Sequence, residues 1–347
     1  MYRIIQWATG SIGRSTLRRI IDHPDLTLVG LYVYGKNKIG RDAGEIAKRH
    51  STGVIATNNL EEILSLDADV VVHTPRITIP YAKQNAEVEQ LLSSGKNVIS
   101  VNGYFYPEAH GETYAKPLST ACECGNSTLA GVGINPGFIA ERLALVMSGL
   151  CAKVDYIGSF EMVDGSYIAA PAFVFDTMGF GADPSVTDIT KGPLARLYFD
   201  LYIETFAYVA EAMGTKIASI KPDHRLTLAP EDMKIAAGII RRGTVAATEW
   251  RWNAEFADGR RMTHSLLWTS SPQLHGDDDP AHWRVEIKGR PHVHLSFSLE
   301  DPDPDAPPSR AGADATAATV IRAIPDVCAA KPGFFRYMPL APFRERF

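Results

Sequence analysis

Three small residues near the start of the chain are spaced as a phosphate-binding turn requires. Ala8, Gly10 and Gly13 follow an apolar stretch and precede a stretch with helical character. In such a turn the first small residue permits a tight bend, the second lets the backbone approach a pyrophosphate, and the third lets the helix pack on the strand. The amides of Ser11 to Gly13 would then face the phosphates at the positive end of the helix. The spacing predicts dinucleotide binding by Gly10, Ser11, Ile12 and Gly13.

Basic and amide side chains follow the second predicted strand, where the adenosine end of a dinucleotide binds. Lys36, Asn37, Lys38 and Arg41 occur there, and no carboxylate precedes Asp42. An acidic residue at this place binds the ribose diol of NAD, whereas cations accept the 2′-phosphate of NADP. We therefore expect these four residues to bind cofactor and NADP(H) to be preferred. NAD(H) stays the alternative, because a lysine-rich loop is also an ordinary solvated turn.

Further candidates follow three other predicted strands of the same domain. Hydride transfer needs a carbonyl or imine carbon held at the nicotinamide, and ligands of doubly wound sheets bind beyond the carboxyl ends of the strands. This selects Thr74 and Pro75 as cofactor neighbours and Asn135 as a contact to the nicotinamide end. Asn102 and Tyr104 are the catalytic candidates, as a hydrogen-bonding partner of the substrate and as an acid. Turn chemistry is the alternative for these residues, and packing is the alternative for Tyr104.

An uncharged aromatic run opens the second half of the chain. It contains Tyr167 and Phe173, and together with Phe138 and Met178 it supplies the predicted walls of an apolar substrate pocket. Packing in the hydrophobic core is the alternative for these side chains.

The histidines and cysteines predict no further site. His73 follows a buried strand and is interpreted as a core histidine with its hydrogen bonds satisfied, while His110 and His264 carry no local pattern. The four cysteines have neither metal-binding spacing nor the arrangement of a disulfide framework. We expect reduced thiols and no metal ion.

Composition limits the class of protein. The chain has 347 residues, of which 45% are hydrophobic and 22% charged, which favours two domains. The net charge of -5 and the scattered basic residues argue against nucleic acid as a partner. No apolar run approaches the roughly 20 residues of a membrane span. We expect a cytoplasmic protein that acts on a small molecule.

The elements that position these residues are predicted from apolar periodicity. Strands alternate with helical stretches through about the first 135 residues, which is typical of a Rossmann domain with a doubly wound parallel sheet. A helix is predicted over Ser11 to His23. The predicted strands are Tyr2–Trp7, Leu26–Tyr34, Val54–Ala56, Asp69–Val72, Asn97–Val101 and Ser127–Gly133.

After Cys151 strand-like runs follow one another without a helix between them, which predicts an α+β domain with a mixed or antiparallel sheet. Its strands are expected at Tyr156–Val163, Thr244–Phe256, Met262–Thr269, Trp283–Lys288 and His292–Ser298. One long helix is predicted over Leu194–Met213. A loop follows at Asp301–Arg310, and then a helix over Ala315–Ala323, with Asp314 as N-cap and Pro325 beyond its end. The predicted fold class is α/β, with domains at 1–150, 151–310 and 311–347.

Several motifs resemble the dihydrodipicolinate-reductase-like NAD(P)H-dependent oxidoreductases, which include 2,4-diaminopentanoate dehydrogenase and the native amine dehydrogenases. The resemblance covers nearly the whole chain. The motifs are Gln6-Trp7-Ala8-Thr9-Gly10 with Gly13, Asp42-Ala43-Gly44-Glu45, Gly95-Lys96-Asn97-Val98, Tyr106-Pro107-Glu108, Gly133-Ile134-Asn135-Pro136-Gly137-Phe138 and Ala323-Ile324-Pro325.

The resemblance implies hydride transfer between NAD(P)H and a C=N or C=O carbon, a homodimer, and a C-terminal helix that returns to the Rossmann domain. True dihydrodipicolinate reductases carry a His-His pair and a downstream lysine, which this chain lacks, so lysine biosynthesis is not expected.

One position departs from the amine dehydrogenases. Their catalytic glutamate, placed by counting back from Tyr106-Pro107, falls here at Asn102 or Gly103. An asparagine hydrogen-bonds but takes no proton at neutral pH, which weighs against reductive amination by the family mechanism. Glu108 is the nearest acid, and its position after Pro107 favours a helix N-terminal charge. Two hypotheses follow: an NADP(H)-dependent reductase or dehydrogenase of a small to medium apolar substrate, and a non-catalytic NADP(H) sensor.

Overall fold

The described structure is a computed structural model and covers residues 1–185, 192–275 and 281–345. Its helices and strands, in chain order, are β1 (Tyr2–Trp7), α1 (Ser11–Asp22), β2 (Leu26–Tyr32), α2 (Ala43–Ala47), α3 (Leu60–Ser65), β3 (Val70–His73), α4 (Asn85–Ser93), β4 (Asn97–Ser100), α5 (Glu112–Gly125), β5 (Thr128–Gly131), α6 (Leu145–Ser148), β6 (Lys153–Asp164), α7 (Pro193–Ala212), β7 (Ile217–Pro222), β8 (Arg225–Leu228), β9 (Met233–Ile235), β10 (Gly238–Ile240), β11 (Val245–Phe256), β12 (Arg261–Thr269), β13 (Trp283–Arg290), β14 (Val293–Phe297), α8 (Ser309–Ala329) and β15 (Gly333–Phe335).

Short helices of other types connect these elements. Those of 3-10 type are Lys36–Lys38, Tyr81–Gln84, Pro107–His110 and Pro272–His275, and those of π type are Ile139–Ala144 and Ala172–Thr177.

The chain divides into two units. The first consists of Met1–Phe138, Asp200–Tyr208 and Asp303–Tyr337, and the second of Ile139–Phe199, Val209–Pro302 and Met338–Phe347. A nine-residue part of α7 thus belongs to the first unit, together with α8 and β15.

The first unit contains a parallel six-stranded sheet in the order β15-β5-β4-β3-β1-β2. Successive side chains of a strand point to opposite faces, so each face has its own core. Ile4 and Val72 pack with Val320 of α8 on one face, whereas Ile5 packs with Leu91 of α4 on the other. Helices therefore cover both faces, which confirms the predicted Rossmann architecture.

Two details of the predicted sheet were wrong. Val54–Ala56 forms no strand: within it Ile55 makes an isolated bridge with Asp42, and the next residue, Thr57, makes another with Tyr32. In its place the sheet contains β15, from the end of the chain, which pairs with β5. An extended segment becomes a strand only when the fold places a neighbouring strand beside it. The apolar periodicity of the sequence does not identify that neighbour.

The second unit contains a mixed seven-stranded sheet with the path β14-β13-β6-β12-β11-β7, and β8 also pairs with β11. The pair β6 and β12 is parallel and the other pairs are antiparallel, as the run of strands without helices predicts. A separate hairpin joins β9 and β10. The predicted α/β fold with a second mixed-sheet domain is confirmed.

The last helix is longer than predicted. α8 runs from Ser309 to Ala329, so Asp314 lies inside it and not at its N-cap, and Pro325 lies inside it and not beyond its end. Asp314 accepts a hydrogen bond from Ser15 Oγ and lies 3.5 Å from the guanidinium of Arg19. Buried Val320, Ala323 and Ile324 stabilise the helix on the sheet, and this packing outweighs the local cost of the proline.

Candidate active site

The turn between β1 and α1 has the shape of a pyrophosphate cradle. A Cβ on Gly13 would lie 2.4 Å from the carbonyl oxygen of Ala8 and 2.7 Å from Thr74 Oγ1, so only glycine fits there. A Cβ on Gly10 would meet nothing within 4 Å, and Gly10 and Ser11 are exposed. No side chain caps the first turn of α1. The amides of Ser11, Ile12 and Gly13 therefore begin a helix whose positive end suits a bound phosphate.

Buried polar side chains fix this turn from below. Gln6 Nε2 donates to the carbonyl oxygen of Ala8 and to Thr74 Oγ1, each at 2.9 Å, and Gln6 Oε1 accepts from Thr16 Oγ1 at 2.8 Å. Thr74 Oγ1 also donates to the carbonyl oxygen of Trp7 at 2.9 Å. Thr74 thus holds the shape of the turn through its hydroxyl, and its predicted contact with the cofactor stays a prediction. The sequence reasoning gave no role to Gln6, although a glutamine inside an apolar strand was a usable signal.

Two of the predicted cations lie beside the turn together with a third that was missed. Lys38 Nζ donates to the carbonyl oxygen of Thr9 at 2.9 Å and to the Thr9 hydroxyl at 2.8 Å. Burial lowers the pKa of Lys38, and the nearby charges of Arg14 and Arg41 lower it further. Three cations this close repel one another, so the arrangement suits an anion. Arg14 follows Gly13 directly, and that adjacency was the signal for it.

The other basic and amide residues of this loop differ in their surroundings. Lys36 and Asn37 are exposed on the 3-10 helix Lys36–Lys38. The guanidinium of Arg41 pairs with Glu45 at 2.7 Å, which offsets part of its charge.

The carboxylate of Asp42, the first acidic residue after β2, accepts hydrogen bonds mainly from backbone amides. Its side chain accepts from the amides of Gly44, Thr52 and Gly53 and from Ser51 Oγ. Burial raises the pKa of this carboxyl, but the hydrogen bonds from Thr52, Gly44, Ser51 and Gly53 outweigh it and lower the pKa to about 2. Asp42 therefore caps α2 and is no ligand for a ribose.

A second network lies past the end of β2 and explains His73. Tyr34 Oη accepts from Trp7 Nε1 at 2.8 Å and donates to Glu87 at 2.8 Å. His73 is fully buried, with Nε2 3.0 Å from Glu87 and Nδ1 3.0 Å from Ser100 Oγ. His73 is thus a core histidine with both ring nitrogens satisfied, as interpreted from the sequence.

The side chains of both catalytic candidates after β4 form hydrogen bonds with neighbouring residues. Asn102 Nδ2 donates to the carbonyl oxygen of Pro75 at 2.8 Å, and the carbonyl oxygen of Asn102 accepts from Gln84 Nε2 at 2.9 Å. Tyr104 is fully buried at φ 67°, and its hydroxyl donates to Asn85 Oδ1 at 2.9 Å. Burial holds the pKa of Tyr104 well above its usual value. This burial favours packing, the alternative given for Tyr104 from the sequence, and its role as an acid stays a prediction.

A buried carboxylate that the sequence reasoning missed lies in the same unit. Glu204 of α7 has no exposed surface and accepts from Tyr81 Oη at 2.8 Å and from the amide of Tyr106 at 2.9 Å. His110 Nε2 lies 2.9 Å from the same carboxylate. Glu204 falls on the apolar face of the predicted helix, between Leu201 and Tyr208, and a charge within such a face was the available signal.

The remaining site candidates have these positions. Asn135 and Phe138 follow β5 and are partly buried; the Asn135–Pro136 peptide bond is cis. In the second unit Tyr167 is exposed and Phe173 packs against Trp268, with ring centroids 5.7 Å apart. Met178 is 1% exposed within the hydrophobic core of that unit, which favours core packing, the alternative given from the sequence.

Residues 1–185, 192–275 and 281–345 have three further features. Within them no cluster of three or more His, Cys, Asp or Glu side chains could hold a metal ion, and none of the helices is long and apolar enough to cross a membrane. A cavity of about 770 Å³ in the first unit lies at the opposite ends of the strands, beside Tyr2, Leu26 and Arg322. It is distant from the phosphate turn, because β1 runs from Tyr2 toward that turn.

The chain is similar in sequence to one protein family model and to two characterised dehydrogenases. A family model described as "Dihydrodipicolinate reductase, N-terminus" matches residues 4–100. The chain is 26% identical over 365 residues to an amine dehydrogenase of Streptomyces virginiae, with 99% of this chain and 97% of the relative covered. It is 25% identical over 249 residues to a 2,4-diaminopentanoate dehydrogenase of Acetoanaerobium sticklandii, with 70% and 66% covered.

The fold agrees with these relatives. The solved amine dehydrogenase of Mycobacterium smegmatis superposes with a TM-score of 0.75 at 17% identity, with 100% of this chain and 98% of that chain covered. By its opening motif and these comparisons, the chain is similar in sequence to dihydrodipicolinate reductase, amine dehydrogenase and 2,4-diaminopentanoate dehydrogenase, and it shares the fold of the solved amine dehydrogenase.

Proposed function

We propose that this protein is an NADP(H)-dependent oxidoreductase that reduces a carbonyl or imine carbon of a small to medium apolar substrate. Oxidoreductase activity with a nicotinamide dinucleotide is supported by the amine dehydrogenase relative, which matches 99% of the chain. The observation that carries the cofactor assignment is the turn at Ala8–Gly13 with Lys38 bonded to it.

The residues present fit a dinucleotide. The amides of Ser11, Ile12 and Gly13 would hold its pyrophosphate, since Gly10 leaves the space above them open. Lys38 with Arg14 and Arg41 would hold a 2′-phosphate, because charge-assisted hydrogen bonds to a phosphate are stronger than those to a neutral hydroxyl. Lys36 and Asn37 stay proposed contacts at the exposed edge of this loop. The bound dinucleotide supplies or accepts the hydride.

The chain's own residues set the polar end of the site. Asn102 is held by Pro75 and Gln84 beyond β4, so its amide is fixed in place. We retain Asn135 as a proposed contact to the nicotinamide end, and Phe138, Tyr167 and Phe173 as proposed substrate contacts. The absence of an acid at 102 favours reduction of a carbonyl or a preformed imine over amination with free ammonia. Formation of a homodimer stays a prediction from the resemblance.

Oxidation of NADPH and NADH with a panel of apolar ketones, each with and without ammonia, tests the proposal. We expect ketone-dependent oxidation of NADPH that is faster than that of NADH at equal subsaturating concentrations. A protein that binds NADPH but turns over no ketone, imine or amine would contradict the enzymatic proposal. Equal kcat/KM values for the two cofactors would contradict the NADP preference alone.

A further inference from the structure

Glu204 is a buried carboxylate on which three donors converge. Its side chain has no exposed surface, and Tyr81 Oη and His110 Nε2 reach the same oxygen, Oε1, at 2.8 and 2.9 Å. The other oxygen, Oε2, accepts from the amide of Tyr106 at 2.9 Å. A buried charge needs such partners, and these three contacts engage both oxygens of Glu204.

The inner end of this cluster touches the loop that carries Asn102. A Cβ on Gly103 would lie 1.6 Å from Tyr81 Oη, so the tyrosine hydroxyl occupies the space that any other residue at 103 would fill. Gly103 adopts φ 93° and follows β4 by three residues. The hydroxyl is therefore at the carboxyl end of the sheet, where ligands of such folds bind.

The outer end of the cluster is His110. Its side chain retains 10% exposure, whereas the side chain of Glu204 retains none. Its ring lies beside Tyr114 and Tyr81, with centroids 4.3 and 5.2 Å away. His110 is thus the member of the cluster that reaches water.

Reduction of a carbonyl or imine consumes one proton with each hydride. For a ketone, reduced cofactor and a proton give alcohol and oxidised cofactor: the hydride forms the new C–H bond, the C=O π bond breaks onto oxygen, and the proton completes the hydroxyl. Asn102 cannot provide that proton. The hydroxyl of Tyr104 donates to Asn85, whose amide oxygen cannot return a proton to it, so Tyr104 is no substitute.

We propose that His110, Glu204 and Tyr81 form a proton relay from solvent to the carboxyl end of β4; this rests on the proposed function. Protonated His110 gives its proton to Glu204 Oε1, and the resulting acid donates to Tyr81 Oη. The phenol then releases its own proton toward the substrate oxygen or nitrogen, and His110 takes a new proton from water. Glu204 acts through Tyr81 and is a positioning residue.

The electrostatic surroundings keep Tyr81 protonated until it is needed. Burial first, and then the charge of Glu204, hold the pKa of Tyr81 well above its usual value. Tyr114 and Tyr104 also face the cluster, as does Asp200, and Glu87 and Glu89 act on Tyr104 from α4. All these neighbours are neutral or negative, so a proton that enters at His110 is stabilised along the path.

Tyr81→Phe tests the relay, with Tyr114→Phe as the matched control. Tyr114 is a neighbouring, partly buried tyrosine that stacks on Tyr81, and Tyr114→Phe keeps this ring and all three relay side chains. We expect Tyr81→Phe to lower kcat by about 10²-fold at pH 8 with an unchanged Kd for NADPH, and the residual kcat to rise as the pH falls because bulk protons replace the relay. The control should keep the wild-type pH profile. A wild-type kcat and pH profile in Tyr81→Phe would overturn the relay.

A second variant removes the carboxylate that links His110 to Tyr81. Glu204→Gln keeps the size of the side chain, and we expect it to lower kcat by about 10²-fold at pH 8 with an unchanged Kd for NADPH, with a residual kcat that rises as the pH falls. A wild-type kcat and pH profile in folded Glu204→Gln would also overturn the relay. If that variant does not fold, Tyr81→Phe still decides. Failure of the proposed function is distinguishable, because the wild type itself would then show no turnover with any substrate.

Discussion

Lys38 Nζ donates to both oxygens of Thr9, which ties a cation directly to the phosphate turn. The side chain is thereby held in one orientation before any cofactor arrives, so less conformational entropy is lost when a phosphate binds. Burial lowers the pKa of Lys38, and the charges of Arg14 and Arg41 lower it further, so both guanidinium groups act on Lys38. The relationship supports the proposed preference for NADP(H).

Lys38→Met should weaken NADPH binding far more than NADH binding. Loss of a charge-assisted contact to the 2′-phosphate is expected to raise the Kd for NADPH by about 10- to 100-fold, or about 1 to 3 kcal/mol. Fluorescence titrations with both cofactors measure this change. Lys36→Met, on the exposed side of the same short helix, is the matched control and should change either Kd by less. An equal rise for both cofactors would mean that Lys38 supports the turn without contacting the phosphate.

Gly10→Val should abolish dinucleotide binding without unfolding the protein. Gly10 adopts φ -69°, which any residue can adopt, and a Cβ there meets no atom within 4 Å, so the side chain projects into the space for pyrophosphate. Gly13→Ala is the contrasting variant, because its Cβ would meet the Ala8 carbonyl and destabilise the fold by about 1 to 3 kcal/mol. Urea unfolding and NADPH titration separate the two effects. Intact binding in folded Gly10→Val would place the pyrophosphate elsewhere.

Burial of His264 should make the protein lose stability in mild acid. Burial lowers the pKa of this histidine to about 3, against 6.5 for the free side chain. Between these values the unfolded chain binds a proton that the folded chain does not, so the free energy of unfolding falls as the pH drops below about 6.5, by up to about 1.4 kcal/mol per pH unit from this group. Denaturant titrations at pH 7 and pH 5 measure this fall in the free energy of unfolding. In His264→Leu we expect the fall to be smaller, by the amount that corresponds to about one bound proton. His294→Gln, at an exposed position, should keep it, and an unchanged slope in His264→Leu would contradict the assignment.

Local chemistry was predictable from the sequence, whereas long-range partners were not. The bounds of β1 and the start of α1 follow from adjacent residues, as do the small side chains of the phosphate turn, because each requirement acts within a few positions. The pairing of β15 with β5 joins segments some 200 residues apart. Likewise Tyr81 and Glu204 are separated by 123 positions and meet only in the folded chain. The proposed cofactor turn could thus be located from sequence, and the proposed relay could not.

Asn102 is the residue on which we base the proposed preference for ketone reduction over reductive amination. Its Nδ2 donates to the carbonyl oxygen of Pro75, so the residue is fixed by a hydrogen bond that a carboxylate cannot make. We expect the wild type to reduce ketones to alcohols more efficiently than it aminates them, because Asn102 has no carboxylate to accept protons from ammonia.

Asn102→Glu should raise the ratio of amine to alcohol product, with about 10²-fold as the scale of a full general-base effect. The variant should also be less stable, by about 1 to 3 kcal/mol, since the Pro75 carbonyl loses its donor and faces a negative charge. Product ratios by chromatography and unfolding in urea measure the two effects, and Asn102→Gln, which keeps the amide, is the control for side-chain length. Efficient amination by the unmodified protein would contradict the assignment. It would show that a carboxylate outside position 102 handles ammonia, and Glu204 and Glu108 would then be the acids to replace, because each lies within the segment or network that follows β4.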